Sequence, residues 1–254
     1  MNYEEFYANA TVQFNPFAFS NTGILKAQTI LKIDTYSLIA VPFQFSMTRG
    51  ILVASLSKDE ITFFSRYVGT TASLNLVVQK ADQKEPVKIF ARCQVSTIGQ
   101  MKGREGVALF ALGWKPIPPD LAALLGSYLD LVERLKVEAA DFKDKSIVID
   151  PANAKRLGYN NYAVLRAKDG QFKVALFSLA ANRVDFLLPM RDPDRSPGEE
   201  VSFDLFFLKY RFNVVARIAS SQRLPTGVQR CRAELAFSSE LVHILEEWFN
   251  SGHY

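Results

Sequence analysis

Histidine and cysteine are the residue types with the widest site chemistry, and this chain has only two of each, His243 and His253, Cys93 and Cys231. Neither histidine lies near a cysteine at a zinc-ligand spacing, so no metal site is expected. Each cysteine sits inside an apolar stretch, which favours two buried free thiols in a reducing compartment over a disulfide. Nucleophilic catalysis has no visible constellation: there is no G-x-S-x-G, and neither cysteine has a recognisable partner. The carboxylate pairs Glu199–Glu200 and Glu246–Glu247 fall in turn-like or helical surface stretches, where solvation accounts for them. The segment around Lys102 and Gly103 lacks the pattern of a phosphate loop. The expected chemistry is therefore binding without turnover, and no cofactor is expected.

The elements that would position a binding surface are legible in the composition. Of 254 residues, 48% are apolar and 22% charged, enough to fold around a sizeable core. Twenty phenylalanines with plentiful Val, Ile, Thr and Tyr favour strands. The net charge of +4 is dispersed, with no basic run to mark a polyanion tail. The opening MNYEEFYANA has no apolar signal core, and no apolar run approaches the ~20 residues of a membrane helix. A cytoplasmic protein without membrane insertion is expected.

An internal repeat organises the chain. DLAALLGSYL at 120–129 matches ELVHILEEWF at 240–249, with Leu121, Leu124, Leu125, Tyr128 and Leu129 set against Leu241, Ile244, Leu245, Trp248 and Phe249. That spacing makes one face of an amphipathic helix, started by Pro118–Pro119 and by Ser238–Ser239. Ahead of each helix, strand-like segments correspond in order. Those led by Gly69 and Gly198 come first, then VKIFARCQV and RFNVVARIA, then GVALFAL and RAELAF. The reading is mainly β: two antiparallel six-stranded barrels, each followed by a C-terminal helix. The domains are expected at 1–136 and 147–254, joined by a linker at 137–146.

This order of strands, turns and terminal helix resembles the PilZ domain over residues 147–250. The first half is similar to the divergent N-terminal barrel of two-barrel PilZ proteins of spirochaetes. The resemblance implies a regulatory protein in cyclic di-GMP signalling that acts through protein partners. It also implies two ligand motifs, R-x-x-x-R ahead of the barrel and D/N-x-S-x-x-G on a strand-end turn. The chain departs from both. Ser178, Ala180 and Arg183 occupy the motif positions of the turn, and FSMTRG in the first half keeps only Gly50. In the leading segment Arg134 is the one arginine, accompanied by Lys136, Lys143 and Lys145, and a lysine cannot replace a stacked guanidinium. Arg191 and Arg195 in R-D-P-D-R match the first motif formally but lie after the turn. With Asp192, Pro193 and Asp194 between them, they are expected to form a self-paired, solvated turn. Cyclic di-GMP is thus a possible ligand, not expected to bind tightly, with Lys143, Lys145, Ser178, Asn182 and Arg183 as candidate contacts. The alternatives are a barrel that binds single-stranded nucleic acid, disfavoured by the dispersed charge, or a scaffold indifferent to the nucleotide.

Overall fold

A computed structural model describes residues 2–80 and 83–251, so His253 lies outside the described residues. The chain divides into two compact units, Met1–Leu131 and Val132–Tyr254.

The first unit opens with α1 (Tyr3–Phe6), β1 (Thr11–Gln13) and α2 (Pro16–Thr22). It continues through β2 (Ile30–Ile33), β3 (Tyr36–Ile39), β4 (Val41–Ser46) and β5 (Arg49–Ser55). Then come α3 (Lys58–Ser65), β6 (Thr71–Val78), β7 (Val87–Gln100), β8 (Val107–Trp114) and α4 (Pro119–Asp141). The second unit has β9 (Ser146–Val148), α5 (Pro151–Leu157), β10 (Ala163–Ala167), β11 (Gly170–Ala180) and β12 (Arg183–Leu188). It ends with β13 (Glu200–Phe206), β14 (Arg211–Arg223), β15 (Gln229–Leu235) and α6 (Ser239–Asn250).

The strands alternate as half-buried strands must. β8 buries Ala108, Phe110, Leu112 and Trp114, and β14 buries Phe212, Val214, Ala216 and Ile218. In the second unit the order β10-β13-β14-β15-β12-β11 returns to β10, a closed ring of six with β9 added on β11. The first unit is an eight-stranded sheet, β1-β4-β5-β8-β7-β6-β2-β3, rather than the six strands expected. The difference arises at Ala40, which alone separates β3 from β4 and donates its N–H to Thr29 O at 3.1 Å. Pro42, which has no N–H for a ladder, and the bulge between Pro42 and Gln44 bend the chain here. Counted as one bent strand, β3 and β4 match β11, and the strands of the two units then follow the same order, with strand pairing closing the second unit. β1 lies on β4 as β9 lies on β11.

The repeat extends into details. α2 follows Asn15, whose Oδ1 accepts from Ala18 N at 2.8 Å, and stops at Gly23 with φ 72°. α5 follows Asp150, whose Oδ1 accepts from Asn153 N at 2.7 Å, and stops at Gly158 with φ 66°. A side-chain N-cap, proline at the first helical position and a left-handed C-cap glycine delimit both helices. Gly69 N donates to Val95 O, and Gly198 N to Ile218 O, each at 2.8 Å, beside equivalent bulges in β7 and β14.

The first terminal helix buries its expected stripe, and the second buries all of its own but Trp248 and Phe249, which are half-buried. Leu121, Leu124, Leu125, Tyr128 and Leu129 are buried in α4, and Leu241, Ile244 and Leu245 in α6. Ser238 caps α6, its Oγ accepting from Leu241 N at 3.3 Å. The segment expected as a linker is not irregular. α4 runs on to Asp141 because Val137, Glu138, Ala139 and Ala140 include good helix formers and no breaker. The division between the units falls inside this helix.

Candidate functional site

Three of the candidate ligand positions, Ser178, Asn182 and Arg183, lie on one hairpin of the second unit. β11 turns through Ala181 and Asn182 into β12. Ser178 lies opposite Asp185, at a bulge that follows Leu176. Asn182 is exposed, and its carbonyl accepts from Leu235 N at 2.8 Å. Arg183 is half-buried, paired in register with Glu234, and its Nε is enclosed with no hydrogen-bond partner among the described residues. β9 adds Ser146 opposite Ala180 and Val148 opposite Ser178, so the segment bearing Lys143 and Lys145 enters beside this hairpin. Both lysines are exposed, and Lys145 Nζ lies 5.3 Å from the centre of the Phe142 ring and 5.5 Å from that of Phe249.

Arg134 is not brought to the hairpin as a free group. Its guanidinium meets Glu246 at 2.7 Å and also pairs with Glu138, and these hydrogen bonds raise its pKa. Lys136 pairs with Glu133 at 2.7 Å.

The R-D-P-D-R turn meets its expectation at Arg191, which lies 3.9 Å from Asp192, and departs from it at Arg195. Arg191 is solvated, but the Arg195 side chain is only 2% exposed. It makes a two-pronged bond to Asp169 at 2.8 and 2.6 Å and a further bond to Glu199 at 2.7 Å, with its guanidinium 4.9 Å from the Phe172 ring centre. Arg195 N and O exchange hydrogen bonds with the Gln229 amide at 2.9 and 3.0 Å. Asp194 pairs instead with Arg223. The arginine is an interior brace because an aromatic face and two carboxylates replace its hydration.

Beside the hairpin lies a polar hollow of about 460 Å³, lined by Asp185, Ser220, Ser221, Gln222, Arg230, Cys231 and Arg232. The register aligns Val148, Ser178, Asp185, Arg232 and Ser220 in one row across five strands. Arg232 grips Asp185 at 2.7 and 3.2 Å. Arg230 lies with its guanidinium 4.7 Å from the Phe177 ring centre, and no hydrogen bond from it occurs among the described residues. Arg230 thus carries the guanidinium of this hollow that has no hydrogen bond among the described residues, while Arg232 is held by Asp185. Sequence reading missed these residues, although a signal existed. In QRCRAEL, Gln229, Cys231, Ala233 and Leu235 take the buried face, leaving Arg230, Arg232 and Glu234 on the other. The equivalent row in the first unit is Gln44, Ile51, Ala111 and Thr97, without a charged group.

Cys93 and Cys231 are free and buried, as expected, and burial pushes each thiol up to about 11. Among the described residues no cluster of three metal-ligating side chains occurs, and no helix is long and apolar enough to cross a membrane. His243 sits on α6 with Nδ1 3.5 Å from Glu246 and Nε2 3.7 Å from Glu247.

One closed six-stranded barrel, with a polar hollow beside its β11–β12 hairpin, and one eight-stranded sheet of the same strand order define a duplicated, mainly β protein. The chain belongs to the PilZN3 domain family, whose sequence profile matches residues 1–132. No curated protein matches it in sequence. Among solved structures it is similar to the Borreliella burgdorferi PlzA protein in complex with c-di-GMP, at 14% identity and TM-score 0.49, covering 97% of this chain and 96% of that one. It is also similar to Escherichia coli YcgR in complex with c-di-GMP, at 13% identity and TM-score 0.32, covering 99% and 94%. The Bacillus subtilis inhibitor of motility MotI/DgrA matches at 10% identity and TM-score 0.29, covering 90% and 99%.

Proposed function

We propose that the chain is a non-enzymatic, cytoplasmic PilZ-type regulator in cyclic di-GMP signalling. It acts through protein partners and binds the dinucleotide weakly or not at all. Family membership supports the regulatory frame. The observation that carries the weak-binding reading is the state of the arginines. Arg134, ahead of the barrel, is committed to Glu138 and Glu246, Arg232 to Asp185, and Arg195 to Asp169 and Glu199. Arg230 alone offers an open fork to a phosphate in the hollow. A dissociation constant of 1 μM requires about −8 kcal/mol, whereas one hydrogen-bonded charged contact supplies about 1.5–3 kcal/mol. Titration calorimetry of the full chain with cyclic di-GMP is expected to show binding weaker than about 10 μM. A dissociation constant of about 1 μM or below overturns this reading. Lys143, Lys145, Ser178, Asn182 and Arg183 would then be the first positions to substitute.

A further inference from the structure

The hairpin joining β13 to β14 carries Phe207, Leu208, Lys209 and Tyr210, closed by Phe207 N donating to Tyr210 O at 2.8 Å. Leu208 at its tip is 90% exposed, the highest value of any large apolar residue described. Its N–H is bonded to Gly158 O at 2.9 Å, which ties the tip to the end of α5. Cations surround it. Lys155 and Arg156 end α5, with Arg156 4.7 Å from the Trp248 ring centre. Arg211 lies 4.8 Å from the Phe206 ring centre, Phe206 packs on Tyr162 at 5.1 Å, and Lys173 lies 4.3 Å from the Tyr162 ring centre. Lys209 bonds Glu247, the one acid lining the hollows of about 320 and 660 Å³ beside the tip. Glu247 is paired to Lys209, and Asp204, which lies near Arg211, is paired to Arg166, so cations around the tip outnumber these acids.

The fold does not require this leucine. The topologically equivalent connection in the first unit, between β6 and β7, reads QKADQKEP over residues 79–86 and has no large apolar side chain. A single exposed leucine is ordinary by itself; what distinguishes this one is the set of cations around it.

We propose that this hairpin is a contact point for the surface of a bilayer bearing anionic headgroups. Leu208 enters the interface, Phe206 and Tyr162 lie at headgroup level, and the five cations face lipid phosphates. A convex, single-residue tip suits a fluid surface that closes around it, whereas a protein partner would need a matching pocket. One leucine with a small charge excess gives reversible, salt-sensitive attachment. The proposal is independent of the nucleotide reading.

The test is cosedimentation of the full chain with phosphatidylcholine vesicles, with and without about 30% phosphatidylglycerol. The expected result is binding to the anionic vesicles only, lost in ~0.5 M salt. Leu208→Asp and the double variant Lys155→Glu with Arg211→Glu are each expected to weaken it about tenfold or more, with unchanged circular dichroism. Lys102→Glu, an exposed charge reversal in the first unit, is expected to leave it intact. No binding of the wild type at low salt overturns the proposal. So does binding that ignores Leu208→Asp, or that falls equally with Lys102→Glu.

Discussion

Arg195 shows how far one side chain can depart from what its neighbours in sequence suggest. Two aspartates within three residues are candidates to neutralise it, yet it takes Asp169 and Glu199 and leaves Asp194 to Arg223. Asp169 precedes β11 and Gln229 begins β15, so Arg195 ties three distant segments at one point. Replacing it with methionine removes the pairing of two carboxylates and the stack on Phe172. The expected loss is about 2–3 kcal/mol in urea denaturation at neutral pH, discounted because both acids are part-exposed. A loss within about 0.5 kcal/mol would return the turn to the solvated class. Hydrogen bonds from Arg195 hold the Asp169 carboxyl below the usual carboxylate range. Its contribution is therefore full above the unfolded value of about 3.9 and is lost as pH falls through the lowered one.

Among the elements, the short helices α2 and α5 fix how each barrel begins. Both rest on a glycine in the left-handed region, but the surroundings differ. A Cβ at Gly23 would stand 2.4 Å from the backbone oxygen of Gln79, which belongs to the connection after β6. At Gly158 the nearest atoms, at 3.0 Å, belong to the exposed, movable side chain of Leu208. Gly158→Ala is expected to cost about 1 kcal/mol for the backbone alone, and Gly23→Ala at least about 1 kcal/mol more. Thermal denaturation of the two variants checks the ranking, and equal losses would show that the Gln79 backbone yields freely. The elements also explain the eight-strand count of the first sheet. The strand is broken at Ala40, just before Pro42, where β11 runs through, and the chain's continuity across Ala40 keeps the strand order that the closed ring of the second unit has.

For the whole molecule, the two units have separate interiors, with Phe17, Phe45 and Phe110 among the largest buried side chains of the first and Phe186 with Phe203 in the second. The last two rings meet edge to face at 5.1 Å. Phe203→Ala is expected to destabilise the second unit by about 3–5 kcal/mol. In hydrogen exchange the loss of protection should appear in β10–β15, while β6, β7 and β8 keep theirs. Equal loss in both units would show that they unfold as one.

Local pattern alone determined the β class, the duplication, the terminal helices, the buried thiols and the weakened ligand motifs, because periodicity and motif residues are written within single segments. The spacing Asn15-Pro16 to Gly23 and Asp150-Pro151 to Gly158 was equally readable and would have extended the repeat to each barrel's start. Tertiary structure alone decided which strands are neighbours. Strand pairing brings Asp185, Ser220, Arg230 and Arg232 to one hollow, and buries Arg195 beneath acids that are distant or unremarkable in sequence. The physical reason is that a cross-strand row is built from residues dozens of positions apart, and register, which sets that row, depends on the closure of the whole ring.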